Sequence, residues 1–172
     1  MTPDVRKRPM KSISYTGYLL RHKLRVFVHA TILGVPLRGL LHDLSKFHPV
    51  EWKGIGRQFY PHTAEEKEAN ASLFRQAKAH HRERNRHEVD HWCLEDGTCA
   101  PIPTSILKEI MADWAAFGGL CLSRAAICDH ASRCYLKWGR NYRMHPETRK
   151  WIEGFLRIDV TGNCEPACSG DA

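Results

Sequence analysis

At 172 residues and 42% hydrophobic content, the chain is long enough for one domain with a real core and too short for two. Its formal net charge of +7, from 26 Lys and Arg against 19 Asp and Glu, points to anionic partners. No apolar stretch approaches the ~20 residues that a membrane-spanning helix needs, which excludes a helical membrane protein and any membrane partner of that kind.

The chain opens with a basic arm, residues 1–11, carrying Arg6-Lys7-Arg8 and Lys11. It reads as a flexible, solvated tail, with nucleic-acid contact as the alternative. From Ser12 to Leu33, Leu19, Leu20, Val26, Phe27 and Ala30 recur at mostly helical intervals. Gly34-Val35-Pro36 punctuates the chain, and Pro36 suits the first turn of a short helix running to Ser45. Phe47-His48-Pro49 breaks that helix, and Pro49 opens a third one that ends at Phe59. After Tyr60-Pro61-His62, Thr63 and Glu66 stand at capping-box spacing ahead of one helix over Ala64 to Asn85.

Residues Asn85 to Pro103 lapse into a loop containing Asp96-Gly97. A helix capped by Thr104 or Ser105 follows, with Ile106, Ile110, Trp114 and Phe117 at helical spacing, and Gly118-Gly119 closes it. Weaker helical patterns run from Leu122 to Leu136 and from Pro146 to Leu156. With no strand pattern, the expected class is all-α, a single-domain helical bundle over residues 12–158. A flexible tail occupies 159–172.

The seven cysteines are odd in number and irregular in spacing, and nothing resembles a secretory signal. Reduced thiols in a cytoplasmic protein are therefore expected. Cys164 and Cys168 in the tail read as incidental, with a metal or disulfide role as the alternative.

The pair His42-Asp43 ends an apolar run, and both groups are costly to bury without a partner. A divalent cation suits both, since neutral imidazole and ionised carboxylate are metal ligands. Asp113 shares a helix side with Ile106, Ile110 and Phe117, where a lone carboxylate is expensive unless paired or ligated. His22 lies one turn before Val26 and faces inward with it, while His29 is a rival for the same role. Facing helices of bundles build metal sites from such scattered side chains. The competing reading of each residue is structural: an arginine partner or a water-facing edge for Asp113, and a carbonyl-bonded core imidazole for His22.

On these residues the chain resembles the HD-domain metal-dependent phosphohydrolases, and more closely a small, largely uncharacterised bacterial and phage branch of HD-like proteins. The similarity runs over roughly Tyr15 to Leu156 and includes His42-Asp43-Leu44-Ser45-Lys46-Phe47, His80-His81 with Asn85, His87 and Trp92, Met111-Ala112-Asp113-Trp114 and His145-Pro146-Glu147-Thr148. The 20 residues separating His22 from His42 are fewer than is usual in the wider superfamily, which suggests a compressed second helix.

The resemblance implies His22, His42, Asp43 and Asp113 as metal ligands. One or two divalent ions are expected, and Mn, Mg, Co, Zn, Ni and Fe all suit such ligands. It also implies hydrolysis of a phosphate ester or anhydride of a small nucleotide, a deoxynucleoside mono- or triphosphate, by metal-activated water. Lys46 would neutralise phosphate, as would His80, His81 and Arg82, with a second metal as the alternative role for the histidines. The arginines have a solvated helix end as their plain alternative. Tyr18 or Trp92 would stack the base. Asp43, Lys46 and Glu51 form the expected catalytic set, with His48 or Glu51 donating or accepting a proton. A surface pairing of Glu51 with Lys46 or Lys53 is the plainer alternative. The other readings are a basic helical module that binds nucleic acid around a structural metal site, and a catalytically silent nucleotide sensor. A homo-oligomer is compatible with all three.

Overall fold

A computed structural model describes residues 12–59 and 63–158. The basic arm 1–11, the Tyr60-Pro61-His62 break and the tail with Cys164 and Cys168 lie outside the described residues. The class is all-α, as expected. The helices are α1 (Ser12–Ile32), α2 (Pro36–Leu41), α3 (Pro49–Phe59), α4 (Ala64–Ala69), α5 (Ala71–Arg84), α6 (Thr104–Gly118), α7 (Arg124–Lys137) and α8 (Pro146–Leu156). No helix among the described residues is long and apolar enough to cross a membrane.

Backbone packing divides the chain into two compact units. Among the described residues, one comprises 12–21 together with 44–59 and 63–81, and the other 22–43 with 82–158. In the second unit α6 is buried on nearly every side, from Ile106 through Ala116, which is why its sequence is apolar almost all round. Val26 and Ala30 of α1, Ile127, Ala131 and Tyr135 of α7, and Ile152 and Leu156 of α8 complete its core. Each fully buried large aliphatic side chain contributes roughly 1.5–3 kcal/mol. Gly39 of α2 lies so close to α1 that a Cβ there would stand 2.6 Å from Ala30 Cβ and 2.9 Å from Phe27 Cα. Only glycine lets α2 approach this far.

In the first unit, Tyr15 of α1 packs edge-on to Trp52 of α3, ring centroids 5.1 Å apart. Gly54 admits Ala77 and Leu73 of α5 against α3 in the same way as Gly39 admits α1. The Thr63–Glu66 capping box forms as the spacing predicts.

Several expectations need correction. Helix α2 stops at Leu41 rather than Ser45, because Asp43 takes a left-handed backbone (φ +57°), and a short 3-10 turn, Leu44–Phe47, follows. The single helix expected over Ala64–Asn85 is broken at Asn70, whose buried amide donates to Gly54 O at 2.8 Å. The N-cap of α6 is Pro103, with no side-chain capping bond, rather than Thr104 or Ser105. Phe117 is 54% exposed, since it lies in the last turn of α6, where the buried stripe has ended.

The loop 85–103 contains a 3-10 turn, Val89–Trp92, and an isolated antiparallel bridge pairing Cys93 with Cys99. These two cysteines form a disulfide, contrary to the expectation of reduced thiols. The turn around Asp96-Gly97 sets them directly opposite each other, and cross-strand neighbours are within bonding reach. Cys121, Cys128 and Cys134 are free thiols.

Candidate metal centre

The unusual turn at the end of α2 buries both members of the His42-Asp43 pair, at 1% and 0% exposure. Carbonyls at a helix end need donors. Here Lys23 of α1 supplies them, its Nζ donating to Leu40 O at 2.6 Å and His42 O at 2.7 Å. Burial lowers the Lys23 pKa, against the pull of Asp43. The left-handed conformation of Asp43 is uncommon outside glycine, although Asp and Asn adopt it more readily than most residues.

From α6, Asp113 reaches the same place. Its Oδ1 lies 2.8 Å from His22 Nε2 and 3.4 Å from His42 Nε2. His42 Nε2 is also 3.3 Å from Asp43 Oδ2. All four residues singled out as ligands therefore meet within the second unit.

Two residues absent from the expected ligand set join them. His87, from the loop after α5, sets its Nε2 3.4 Å from Asp43 Oδ1. Glu109, one helical turn before Asp113, is 6% exposed and receives the Nδ1 atoms of both His42, at 3.2 Å, and His87, at 3.3 Å. Arg38 pairs with its other oxygen at 3.2 Å. Burial alone would raise the Glu109 pKa, but the bonds from His42 and His87 hold it down at about 2. For Asp113, too, burial is outweighed by the bond from His22 and by the nearby His42 imidazole, and its pKa lies well below the usual value.

Glu109 fixes the tautomer. An ionised carboxylate only accepts, so Nδ1 of His42 must donate, and in the neutral ring Nε2 then carries a lone pair. That lone pair faces two carboxylate oxygens and, although buried, makes no hydrogen bond. Like electron density at such distances is unfavourable unless a cation lies between. A proton can serve, and the carboxylates, Asp43 foremost, raise the His42 pKa well above normal against the desolvation that lowers it.

A metal ion fits the spacing better. Two donors ~2.1 Å from one ion at the tetrahedral angle stand about 3.4 Å apart. The His42–Asp43, His42–Asp113 and His87–Asp43 contacts, at 3.3–3.4 Å, have this spacing, and two overlapping triads, His22–His42–Asp113 and His42–Asp43–His87, bring their ligand atoms within 4.8 Å of one another. With neutral imidazoles, the three carboxylates outnumber the two cations Arg38 and Lys23, which leaves net negative charge for a cation to offset. The Nδ1 bonds to Glu109 are of the kind that orient imidazoles at metal sites.

The rival ligand His29 is committed elsewhere. Its Nε2 accepts from the Cys121 N–H at 2.8 Å, so its Nδ1 carries the proton and donates to Ala112 O at 3.1 Å. Both nitrogens are engaged with backbone.

The first unit holds a second histidine group. Glu51 of α3 is fully buried, not at the surface, and accepts from Nδ1 of His80 at 2.5 Å, Nδ1 of His81 at 2.8 Å and Ser45 Oγ at 3.1 Å. Burial raises the Glu51 pKa, but these bonds outweigh it and the net shift is downward. Such a carboxylate stays ionised and holds imidazoles; it is poorly suited to give up a proton. The exposed His48 ring stacks on His80 at 4.4 Å. Lys46 lies half-buried in the 3-10 turn, and Tyr18 is exposed on α1. Arg82 lines a cleft with Asp90 and Cys93 in the second unit. Trp92 spends its indole N–H on Arg86 O at 2.8 Å and packs against the core.

Fold and site together define an all-α protein with a buried histidine–carboxylate cluster of metal-binding type. Residues 11–158 match DUF5662, a family of unknown function, and the chain belongs to that family. No curated protein and no solved structure matches it.

Proposed function

We propose that the protein is a metal-dependent phosphohydrolase of the HD type acting on a small nucleotide. One observation carries this reading: the buried Nε2 of His42, its proton displaced to Nδ1 by Glu109, aimed between Asp43 and Asp113. His22, His42, Asp43 and Asp113 would hold the ion, with His87 as a fifth donor. When bound, a divalent ion there would polarise a phosphoryl oxygen and acidify water. Glu109 and Arg38 keep the imidazoles aimed, and the depressed pKa values of Glu109 and Asp113 keep both carboxylates ionised, so that a metal cation would compete with the proton that His42 holds. The roles of Lys46, Tyr18, His80 and His81 toward substrate are carried by the HD resemblance and by the net positive charge. Glu51 takes the part of a positioning residue for the two histidines.

The test is metal analysis of the purified protein, then a screen of nucleotides with added Mn2+, Mg2+, Co2+ or Zn2+. Phosphate release that vanishes in a folded Asp43→Ala variant supports the proposal. Bound metal without turnover of any nucleotide would redirect it to a sensor. Steeply salt-dependent DNA binding without turnover would redirect it to a nucleic-acid module.

A further inference from the structure

Outside the histidine clusters, a cleft of about 730 Å3 opens beside the Cys93–Cys99 hairpin. That volume is within the range of small-molecule sites. Its lining is of mixed charge: Arg82 and Arg143 on one hand, Glu83, Asp90 and Glu95 on the other, with Cys93 in the wall. Arg143 is anchored at the cleft by a bond from its guanidinium to Leu94 O at 2.8 Å.

The disulfide is not the sole closure of its hairpin. Its partners are only six residues apart, so the cross-link restrains the unfolded chain less than one closing a long loop would. The same loop is already closed by backbone bonds from Leu94 N–H to Thr98 O (2.8 Å), Gly97 N–H to Leu94 O (3.1 Å) and Ala100 N–H to Trp92 O (2.9 Å). A bond that can open while its surroundings persist, and that borders a ligand-sized cleft, is suited to exchange.

We propose that the Cys93–Cys99 disulfide is a thiol–disulfide exchange site whose partner is a small zwitterionic thiol peptide docked in this cleft. Two carboxylates of such a peptide match the two guanidinium groups, which favour planar, bidentate anions. Its ammonium matches the acidic side chains. The incoming thiolate attacks Cys93 Sγ; a new S–S bond forms, and the Cys93–Cys99 bond breaks with its electron pair leaving on Cys99, which takes up a proton. A second thiol then attacks the peptide sulfur of the mixed disulfide, releasing oxidised peptide and the Cys93 thiol. Overall, two thiols lose two electrons and two protons to the protein disulfide.

The experiment uses the full chain after air oxidation, with reduced glutathione as the zwitterionic probe and 2-mercaptoethanol as the neutral one. Alkylation and mass spectrometry follow the state of Cys93 and Cys99 under native conditions. The proposal expects the reduction rate to saturate with glutathione and to rise linearly with 2-mercaptoethanol. At low millimolar thiol, glutathione should be at least tenfold faster per thiolate. Arg143→Gln and, separately, Arg82→Gln should each abolish saturation while the thermal unfolding curve stays in place; the second variant guards against a local packing defect in the first. Linear, thiolate-limited rates with both probes would overturn the proposal. So would reduction only on unfolding, or free thiols at both positions after oxidation.

Discussion

Glu109 and Glu51 use the same device in different units: each is a buried carboxylate gripping two histidines by their Nδ1 atoms. The far sides of the rings differ. Beyond Glu109, Nε2 of His42 meets Asp43 and Asp113, and Nε2 of His87 meets Asp43. Beyond Glu51, Nε2 of His80 is buried without a hydrogen bond, and no carboxylate other than Glu51 comes within 4.0 Å of that ring among the described residues. An identical clamp therefore prepares two chemistries. Imidazoles backed and faced by carboxylates suit a metal cation, whereas the outer nitrogen of His80 has no second carboxylate beside it among the described residues.

The strongest way to break this contrast is to remove the facing carboxylates. Asp43→Ala or Asp113→Ala should lower metal affinity by about 100-fold or more, read by metal analysis after dialysis, because each would remove a proposed direct ligand. Metal retained at wild-type stoichiometry in both variants would mean that the Glu109 group is a buried polar network.

The two clamps can then be compared directly. Glu109→Gln should cost about 10–100-fold in metal affinity, the usual loss when the outer support of a ligand is removed. Glu51→Gln should leave metal content in place and raise KM for a nucleotide more than it lowers kcat. Loss of metal from Glu51→Gln would make His80 and His81 ligands and erase the distinction.

His29 sharpens the comparison as a buried imidazole with no clamp at all. Burial lowers its pKa from the ordinary 6.5, against the Ala112 bond. The unfolded chain takes up this proton as pH falls through about 6.5 while the folded one resists it, so folding stability declines from there down to the folded-state pKa. Urea unfolding between about pH 7.5 and 5 should show that decline. His29→Gln should flatten it and cost about 1–3 kcal/mol near neutrality, since Gln cannot satisfy both backbone partners in the same geometry.

The smallest effect concerns the support of the Glu51 clamp. Asn70→Ala removes the bond to Gly54 O that ties the α4–α5 corner to α3, and should cost about 1 kcal/mol by thermal unfolding. An equal loss on substituting an exposed residue of α4, such as Glu68, would show that the tie has no special weight.

Where a boundary has chemical punctuation, the sequence is a sufficient guide. Prolines open α2, α3 and α8, Thr63–Glu66 caps α4, and Gly118-Gly119 closes α6. The early end of α2 and the break at Asn70 were hidden because each depends on a residue distant in sequence: Lys23 donating to the carbonyls at the end of α2, and Gly54 accepting from the Asn70 amide. The meeting of His22, His42, Asp43 and Asp113 was legible, since polar groups on apolar faces need partners. Glu109 was missed although it stands four residues before Asp113, the spacing that puts both carboxylates on one side of α6. His87 lies in a loop, where no periodicity marks which side chains turn inward. The disulfide had its signal too: Asp96-Gly97 is a hairpin turn, and Cys93 and Cys99 are symmetric about Asp96.

The backbone at Asp43 ties an uncommon geometry to a proposed ligand in one residue. Saturation of that position should therefore sort the twenty side chains by two separate filters. Glycine and asparagine should pass the conformational one and keep a soluble, cooperatively melting protein, whereas β-branched residues should fail it outright. Aspartate alone should pass the second filter, so that a survey of stability and a survey of metal loading would rank the same library in different orders.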